Sequence, residues 1–272
     1  VDVATKAGKL TFKARYFIDC TGDADLAAQA GCPFHLGRPD GLCQPMTLCF
    51  RMHQVDMEQF QQHRAEINLL YQKFQKEGKI KNIREDVLFF NTFYDGVLHF
   101  NSTRIVRRDP TDAFDLTQAE IVSRKESWEQ VERMRKTPGW EKVFVASTCS
   151  QIGPRATRLI EAEKIVDRAA FRSGVRPNDV VGICGADLPY YEPLYVPYGQ
   201  LLPKGIDNLL CAGRCVGAPD TIDTFRLICP CFVTGEAAGT AAALAALGNV
   251  RPRDLDVAKL QATLKSHGAC LA

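Results

Sequence analysis

Two short segments that follow apolar runs could bind an anionic or polar ligand through their backbones. The first is CysThrGlyAspAlaAsp at 20–25, which comes after the apolar run Tyr16–Ile18. Gly22 has no Cβ, so a ligand could approach its backbone closely, and Asp23 could cap the helix that follows. The second is AlaGlyArg at 212–214. Both are candidate ligand-binding turns; plain strand-to-helix turns are the alternative.

A third segment, ThrGlyGluAlaAlaGlyThrAlaAlaAlaLeuAla at 234–245, is rich in small residues. Gly235, Ala238 and Gly239 recur at spacings of three and four, which predicts one open face of a helix. If the helix begins near Thr234, its positive end would suit a pyrophosphate. The alternative is that small residues let the helix pack tightly on a sheet.

Four cysteines lie close to these segments, at Cys211, Cys215, Cys229 and Cys231. A CxxxC followed by a CxC could hold zinc or an iron–sulfur cluster, or act as a dithiol. Buried free thiols are the preferred interpretation, so we expect no metal. The eleven cysteines are scattered over a long chain, which favours reduced thiols and a cytoplasmic protein.

Local patterns predict the elements that position these segments. Apolar spacing, turn residues and capping residues define each of them. We expect a hairpin that turns at Ala7 and Gly8, with a second strand ending in Tyr16–Ile18, and another hairpin of 87–93 with 97–101. Further strands are expected over 45–52 and 208–212. Helices are expected over 25–30, 56–77, 116–135, from Thr234 onward and over 257–264.

Composition narrows the partners. The chain has 46% hydrophobic and 24% charged residues and a net charge of +2, without a run of like charges, so we expect no nucleic acid. The apolar run 232–250 consists largely of Ala and Gly and contains Glu236, so we expect no membrane span. We expect a small-molecule substrate, and the formation of a homo-oligomer is left open.

Longer stretches resemble one family. AsnLeuLeuCysAlaGlyArgCys at 208–215 and the segment 226–245 resemble the C-terminal flavin signature of glutathione-reductase-like FAD-dependent oxidoreductases. PheIleAspCysThrGlyAsp at 17–23 is similar to the family's second FAD motif. The segments 112–120 and 151–160 resemble landmarks of its substrate domain. Counterparts in order extend from Phe17 to Gly268.

The resemblance implies an α/β fold, in which a partial FAD-binding Rossmann-type domain carries an inserted mixed α+β substrate domain. We expect the FAD domain at 1–40 and 204–272, and the substrate domain at 41–203. No two glycines are separated by a single residue, so the family's GxGxxG motif is missing. The chain is therefore expected to be the C-terminal part of a longer enzyme and to be inactive on its own.

Functional residues follow from the same resemblance. The expected cofactor is FAD, and the expected reaction is hydride transfer between a small organic substrate and flavin N5. For the substrate we expect Arg155, Arg226 and His99, with Arg158 a weaker candidate. A non-catalytic binding domain and a cysteine-ligated metal protein remain the alternatives. The cofactor-binding residues carried over from the family are Gly22, Asp23, Gly213, Arg214, Gly235, Ala238, Gly239 and Thr240.

Overall fold

The computed structural model describes residues 1–38, 40–184 and 193–271. The chain divides into two compact units, and the first consists of Val1–Arg38 together with Arg158–Ala272. The second unit is Pro39–Thr157. The predicted substrate domain, 41–203, is longer than this second unit, because 158–203 belongs to the first.

The first unit combines short strands with helices, and its strands pair two by two. The described elements of this unit are β1 (Asp2–Thr5), β2 (Gly8–Thr11), β3 (Phe17–Asp19), α1 (Asp25–Gln29), β4 (Phe34–Leu36), β9 (Arg158–Ile160), α5 (Arg168–Arg172), β10 (Val180–Cys184), β11 (Leu194–Pro197), β12 (Leu209–Cys211), α6 (Ile222–Phe225), α7 (Ile228–Gly248) and α8 (Val257–Ser266). Strands β1 and β2, β4 and β9, and β10 and β11 pair antiparallel, whereas β3 and β12 pair parallel.

The parallel pair β3–β12 brings together strands that are far apart in the sequence. Phe17 pairs with Leu209 and Asp19 with Cys211, so both strands run in the same direction. The carboxyl ends of parallel strands meet at one edge, so the loops that follow β3 and β12 lie next to each other. The two ligand-binding turns predicted from the sequence are these two loops.

Helix α7 packs across β10. A Cβ at Gly182 of β10 would collide with Val233 of α7, so glycine permits this close approach. Ala237, Ala241 and Ala245 are fully buried and recur every four residues, which defines the face of α7 that contacts the rest of the unit. Gly239 is exposed on another face of the helix.

The second unit is built on one antiparallel sheet with the strand order β6-β7-β5-β8. Its long helix α4 begins at a capped end, because the Asp112 carboxylate accepts hydrogen bonds from the N–H groups of Phe114 and Asp115. The described elements of this unit are β5 (Phe50–His53), α2 (Met57–His63), α3 (Glu66–Lys76), β6 (Phe89–Asn91), β7 (Leu98–Phe100), α4 (Ala113–Met134) and β8 (Phe144–Thr148).

Aromatic side chains form the core of the second unit. Phe50 and Phe100 stack with ring centroids 4.9 Å apart. Trp140, which is fully buried, packs edge-on against Phe100 at 5.8 Å and lies 6.1 Å from Phe60. Burial of three or four large aromatic rings stabilises such a core by several kcal/mol, at roughly 1.5–3 kcal/mol for each ring.

One carboxyl group lies inside this unit. Glu126 of α4 is only 8% exposed, and burial raises its pKa to about 7. A hydrogen bond from the backbone of Arg104 acts in the opposite direction, and the charge of Glu129 adds to the rise. Glu126 Oε2 makes no hydrogen bond to a described residue, and neither do the side-chain polar atoms of Gln130 or the hydroxyl of Tyr71. The ionised form of Glu126 is therefore poorly compensated.

Several predicted elements differ from the observed ones. The hairpin at Ala7 and Gly8 is confirmed, but its second strand ends at Thr11, and Tyr16–Ile18 leads into the separate strand β3. The predicted helix 56–77 is two helices, α2 and α3. The hairpin of 87–93 with 97–101 is confirmed as β6 and β7. The described residues form a mixed α/β fold, and the Rossmann-type assignment stays a prediction.

Candidate functional site

A buried carboxylate organises the loop after β3. Asp19 is 1% exposed, and its Oδ1 accepts hydrogen bonds from the backbone N–H and the hydroxyl of Thr21, at 2.9 and 2.7 Å. Its Oδ2 accepts the N–H of Ala27 at 2.7 Å. Thr21 Oγ1 in turn accepts the N–H of Asp25 at the start of α1. Asp19 was not among the predicted site residues, although an acidic residue ending an apolar strand was a usable signal.

Asp23 does not cap α1, contrary to the sequence-based expectation. The residue before the helix is Ala24, which has a left-handed backbone and makes no side-chain cap. The carboxylate of Asp23 instead pairs with Arg214, with Nη1 2.6 Å from Oδ1. Two predicted cofactor residues, one from each loop, thus bind each other.

The Arg214 guanidinium also covers Gly22. A Cβ added to Gly22 would lie 2.7 Å from Arg214 Nε, and the φ of Gly22 is +84°. Glycine is therefore required here by both the backbone conformation and the neighbouring side chain. The space in front of Gly22 is filled by protein, so a ligand could reach this glycine only if Arg214 moved.

Three other predicted glycines are open. The N–H of Gly213 donates a 3.0 Å hydrogen bond to Thr234 Oγ1, which fixes the β12 loop against α7. Gly235 follows Thr234, and Gly239 lies one turn later. A Cβ added at Gly213, Gly235 or Gly239 would meet nothing within 4 Å. We call these three residues the glycine strip; no side chain protrudes from their backbone, and the space in front of each is open.

The start of α7 differs from the prediction. The helix begins at Ile228, so Thr234 lies in its second turn and not at its positive end. The predicted electrostatic role of a helix N-terminus at Thr234 is therefore wrong. Ala238 is fully buried, and its side chain faces the interior of the unit. Thr240 is half-buried beside Gly239. Only some of the predicted cofactor-binding residues of α7 are thus accessible to a ligand.

The predicted substrate residues are divided between the units. Arg226 belongs to the first unit, where its Nε lies 3.6 Å from the Asp223 carboxylate. Arg155 belongs to the second and donates a 2.9 Å hydrogen bond from Nη2 to Thr47 Oγ1. Arg158, the weaker candidate, binds the Asp25 carboxylate at 2.7 Å in the first unit. Their roles in substrate binding stay predictions.

His99 lies on the sheet of the second unit, directly opposite Arg51 of β5. Burial and the positive charge of Arg51 lower the pKa of His99, so the imidazole is neutral near pH 7. A cavity of about 400 Å³ on the same unit has Arg51 in its wall. Its lining residues are Arg51, His53, Thr92, Phe93, Tyr94 and Val97.

Free thiols are observed at Cys20, Cys32, Cys49, Cys149, Cys184, Cys211, Cys215, Cys229 and Cys231. The side chain of Cys215 is the largest cause of the raised pKa of Cys211, and burial is the next. Within residues 1–38, 40–184 and 193–271, no group of three or more His, Cys, Asp or Glu side chains is arranged to hold a metal ion.

Helix α7 is also the one helix, in the part of the chain that the structure describes, that is long and apolar enough to cross a membrane. The core helices of water-soluble proteins meet the same criterion, and α7 has a buried alanine face. The expected absence of a membrane span stays a prediction.

The comparison with protein families identifies the chain. A family model described as FAD dependent oxidoreductase matches residues 1–264 of the 272. The chain belongs to the FAD-dependent oxidoreductase family. The cofactor of this family is FAD, and the match supports a general oxidoreductase function. Searches of curated proteins and of solved structures give no match.

The glycine strip fits that cofactor. An isoalloxazine ring is planar and needs a surface without protruding side chains, and the strip supplies backbone with open space before it. The loop at Gly22 fits less well, because Arg214 occupies the space in front of it. The residues present thus support flavin contact along Gly213, Gly235 and Gly239.

Proposed function

We propose that this FAD-dependent oxidoreductase transfers a hydride between a small organic substrate and FAD, with the flavin ring resting on the glycine strip. The observation that carries the proposal is the open space in front of Gly213, Gly235 and Gly239, in a chain whose family binds FAD. When bound, the flavin supplies the hydride acceptor or donor at its N5 atom.

The chain's own residues would hold the ring in place. The hydrogen bond from Gly213 to Thr234 keeps the β12 loop and α7 at a fixed spacing, so that backbone from two elements forms one surface. Holding a ring in a fixed position lowers the entropic cost of reaching the reactive geometry. Arg214, paired with Asp23, forms a charged border at the adjacent loop.

Substrate binding falls, in this proposal, to the residues predicted from the sequence. Arg226 and Arg155 carry guanidinium groups suited to a carboxylate. His99 is neutral near pH 7 because burial and Arg51 lower its pKa, so it can accept a hydrogen bond or a proton. A guanidinium group in either unit favours a small organic acid as the substrate class.

The substitution Gly239→Ala tests the flavin contact. Gly239 is an exposed glycine inside a helix, so alanine should stabilise α7 by about 0.5–1 kcal/mol. If the ring rests there, the new methyl group crowds it, and overpacking costs about 1–3 kcal/mol. We therefore expect FAD to bind about tenfold more weakly, although the protein itself becomes more stable.

The matched control is Gly248→Ala at the far end of α7, where a Cβ meets only Val250 at an ordinary 3.6 Å. This variant should bind FAD as the wild type does. FAD titration, followed by flavin fluorescence, compares the three proteins, with the full-length protein as the starting material. Equal affinities for Gly239→Ala and Gly248→Ala would show that the flavin does not contact the strip. A wild type that binds no FAD would favour a non-catalytic domain.

A further inference from the structure

Cys49 and Cys149 face each other across two strands of the second unit. The register of β5 and β8 pairs Phe50 with Thr148, and one more step along each strand brings Cys49 opposite Cys149. The N–H of Cys149 donates a 2.9 Å hydrogen bond to the carbonyl oxygen of Cys49, which continues the antiparallel ladder to this pair.

This arrangement matches the span of a disulfide. Facing residues of antiparallel strands have Cα atoms roughly 4.5–5.5 Å apart. A disulfide joins Cα atoms roughly 4.4–6.8 Å apart, and the Cα separation typical of facing residues falls within that range. The Cys149 side chain is also near enough to Cys49 to contribute to the raised pKa of that thiol.

The two cysteines differ in exposure. Cys149 is exposed, whereas Cys49 is half-buried. Burial raises the pKa of Cys49 to about 11, and the neighbouring Cys149 adds to this rise through its charge and a hydrogen bond. Solvent-borne reagents therefore reach Cys149 first.

Arg124 of α4 holds the end of β8 in position. Its guanidinium donates hydrogen bonds to Thr148 Oγ1 at 2.6 Å and to the carbonyl oxygens of Cys149 at 3.5 Å and Ser150 at 3.3 Å. The backbone around Cys149 is thereby fixed relative to α4. A thiol on a fixed strand keeps its distance from the opposite thiol, which favours an intramolecular reaction.

Another close thiol pair lacks this access. In the first unit the side chain of Cys215 likewise raises the pKa of Cys211, but both residues are fully buried. A reagent in solution cannot reach either sulfur without local unfolding. Exposure of one partner is thus what distinguishes Cys49 and Cys149 from this buried pair.

We propose that Cys49 and Cys149 form a modification site that low-molecular-weight disulfides oxidise to a cross-strand disulfide. The Cys149 thiolate attacks a disulfide of the glutathione type, forms a mixed disulfide and releases one thiolate. The Cys49 thiolate then attacks the Cys149 sulfur, which forms the Cys49–Cys149 bond and releases the second thiolate. The two cysteines lose two electrons to the reagent, and their two protons end on the two released thiols.

Oxidised glutathione added to the full-length, reduced protein tests the proposal, with peptide mapping by mass spectrometry under non-reducing conditions. In the wild type we expect the peptides of Cys49 and Cys149 to be joined, with the loss of two hydrogens. In Cys49→Ser we expect one glutathione to remain on Cys149. In Cys149→Ser we expect neither product at Cys49. Cys229→Ser, which removes an exposed thiol from the first unit, should leave the cross-link unchanged.

The folded state of each variant can be checked by tryptophan fluorescence, because both tryptophans of the chain, Trp128 and Trp140, belong to the second unit. Cys49→Ala provides a second variant if serine perturbs the half-buried position, and it should also retain glutathione on Cys149. A wild type that accumulates glutathione on Cys149 without a cross-link would overturn the proposal. So would a wild type whose Cys149 does not react.

Discussion

The buried carboxyl group of Glu126 makes the stability of the second unit depend on pH in an unusual direction. Its pKa rises from 4.5 to about 7 in the folded protein. Below about pH 4 the group is protonated in both the folded and the unfolded chain and costs nothing. As the pH rises from about 4.5 to about 7, the unfolded chain ionises first, so the folded state loses stability.

The substitution Glu126→Gln removes this dependence, because glutamine stays neutral at every pH and can still accept the hydrogen bond from the Arg104 backbone. A pKa change of this size corresponds to about 3 kcal/mol between the two protonation states. We expect Glu126→Gln to be more stable than the wild type by about 2–3 kcal/mol at about pH 8.5, and to match it within about 1 kcal/mol at about pH 4.

Urea unfolding followed by tryptophan fluorescence measures this difference in the unit that contains it, since Trp128 and Trp140 both lie there. The control is Glu132→Gln on the exposed side of α4, which loses a 2.8 Å surface ion pair with Arg135. That loss should cost at most about 1 kcal/mol at about pH 8.5. If Glu126→Gln gave the same difference from the wild type at both pH values, Glu126 would not be the group that titrates.

Two further substitutions examine the loops of the candidate site. Gly22→Ala should destabilise the first unit by about 1–3 kcal/mol in urea unfolding followed by circular dichroism, because φ is +84° and the new Cβ meets Arg214. Gly31→Ala, at φ +85° with open space, shows the backbone strain alone, so an equal loss in both would refute the collision. Thr234→Val should lower the free energy of unfolding by about 1–2 kcal/mol, because it removes the acceptor for the Gly213 N–H. Thr234→Ser keeps the hydroxyl and should leave stability nearly unchanged. Equal losses in the two variants would assign the effect to packing.

The elements that local patterns define were predictable from the sequence. The hairpin at Ala7 and Gly8 and the hairpin of 87–93 with 97–101, for example, were predicted from turn residues and alternating apolar residues. The pairing of β3 with β12 was not predictable in the same way, because it joins residues almost two hundred positions apart. Only the similarity to the family suggested that their loops meet.

The start of α7 shows why the boundaries of helices are harder to predict from the sequence than their presence. The helix was predicted to begin near Thr234, yet Pro230 already lies in its first turn, where the missing N–H has no intrahelical partner to lose. The partnership of Asp23 with Arg214 was equally hidden, since each residue alone matched a cofactor-binding motif. Charge pairs formed across two loops are decided by tertiary structure, not by the sequence around either residue.

The pairing of β4 with β9 places Leu36 opposite Arg158. The chain therefore leaves the first unit after β4 and returns to it at β9, at paired backbone positions. The second unit, Pro39–Thr157, is the segment that connects these two strands. Lengthening a flexible connection costs only about 0.6 kcal/mol for each doubling. A change in the length of a flexible connection within that segment is therefore expected to leave the pairing of β4 with β9 intact.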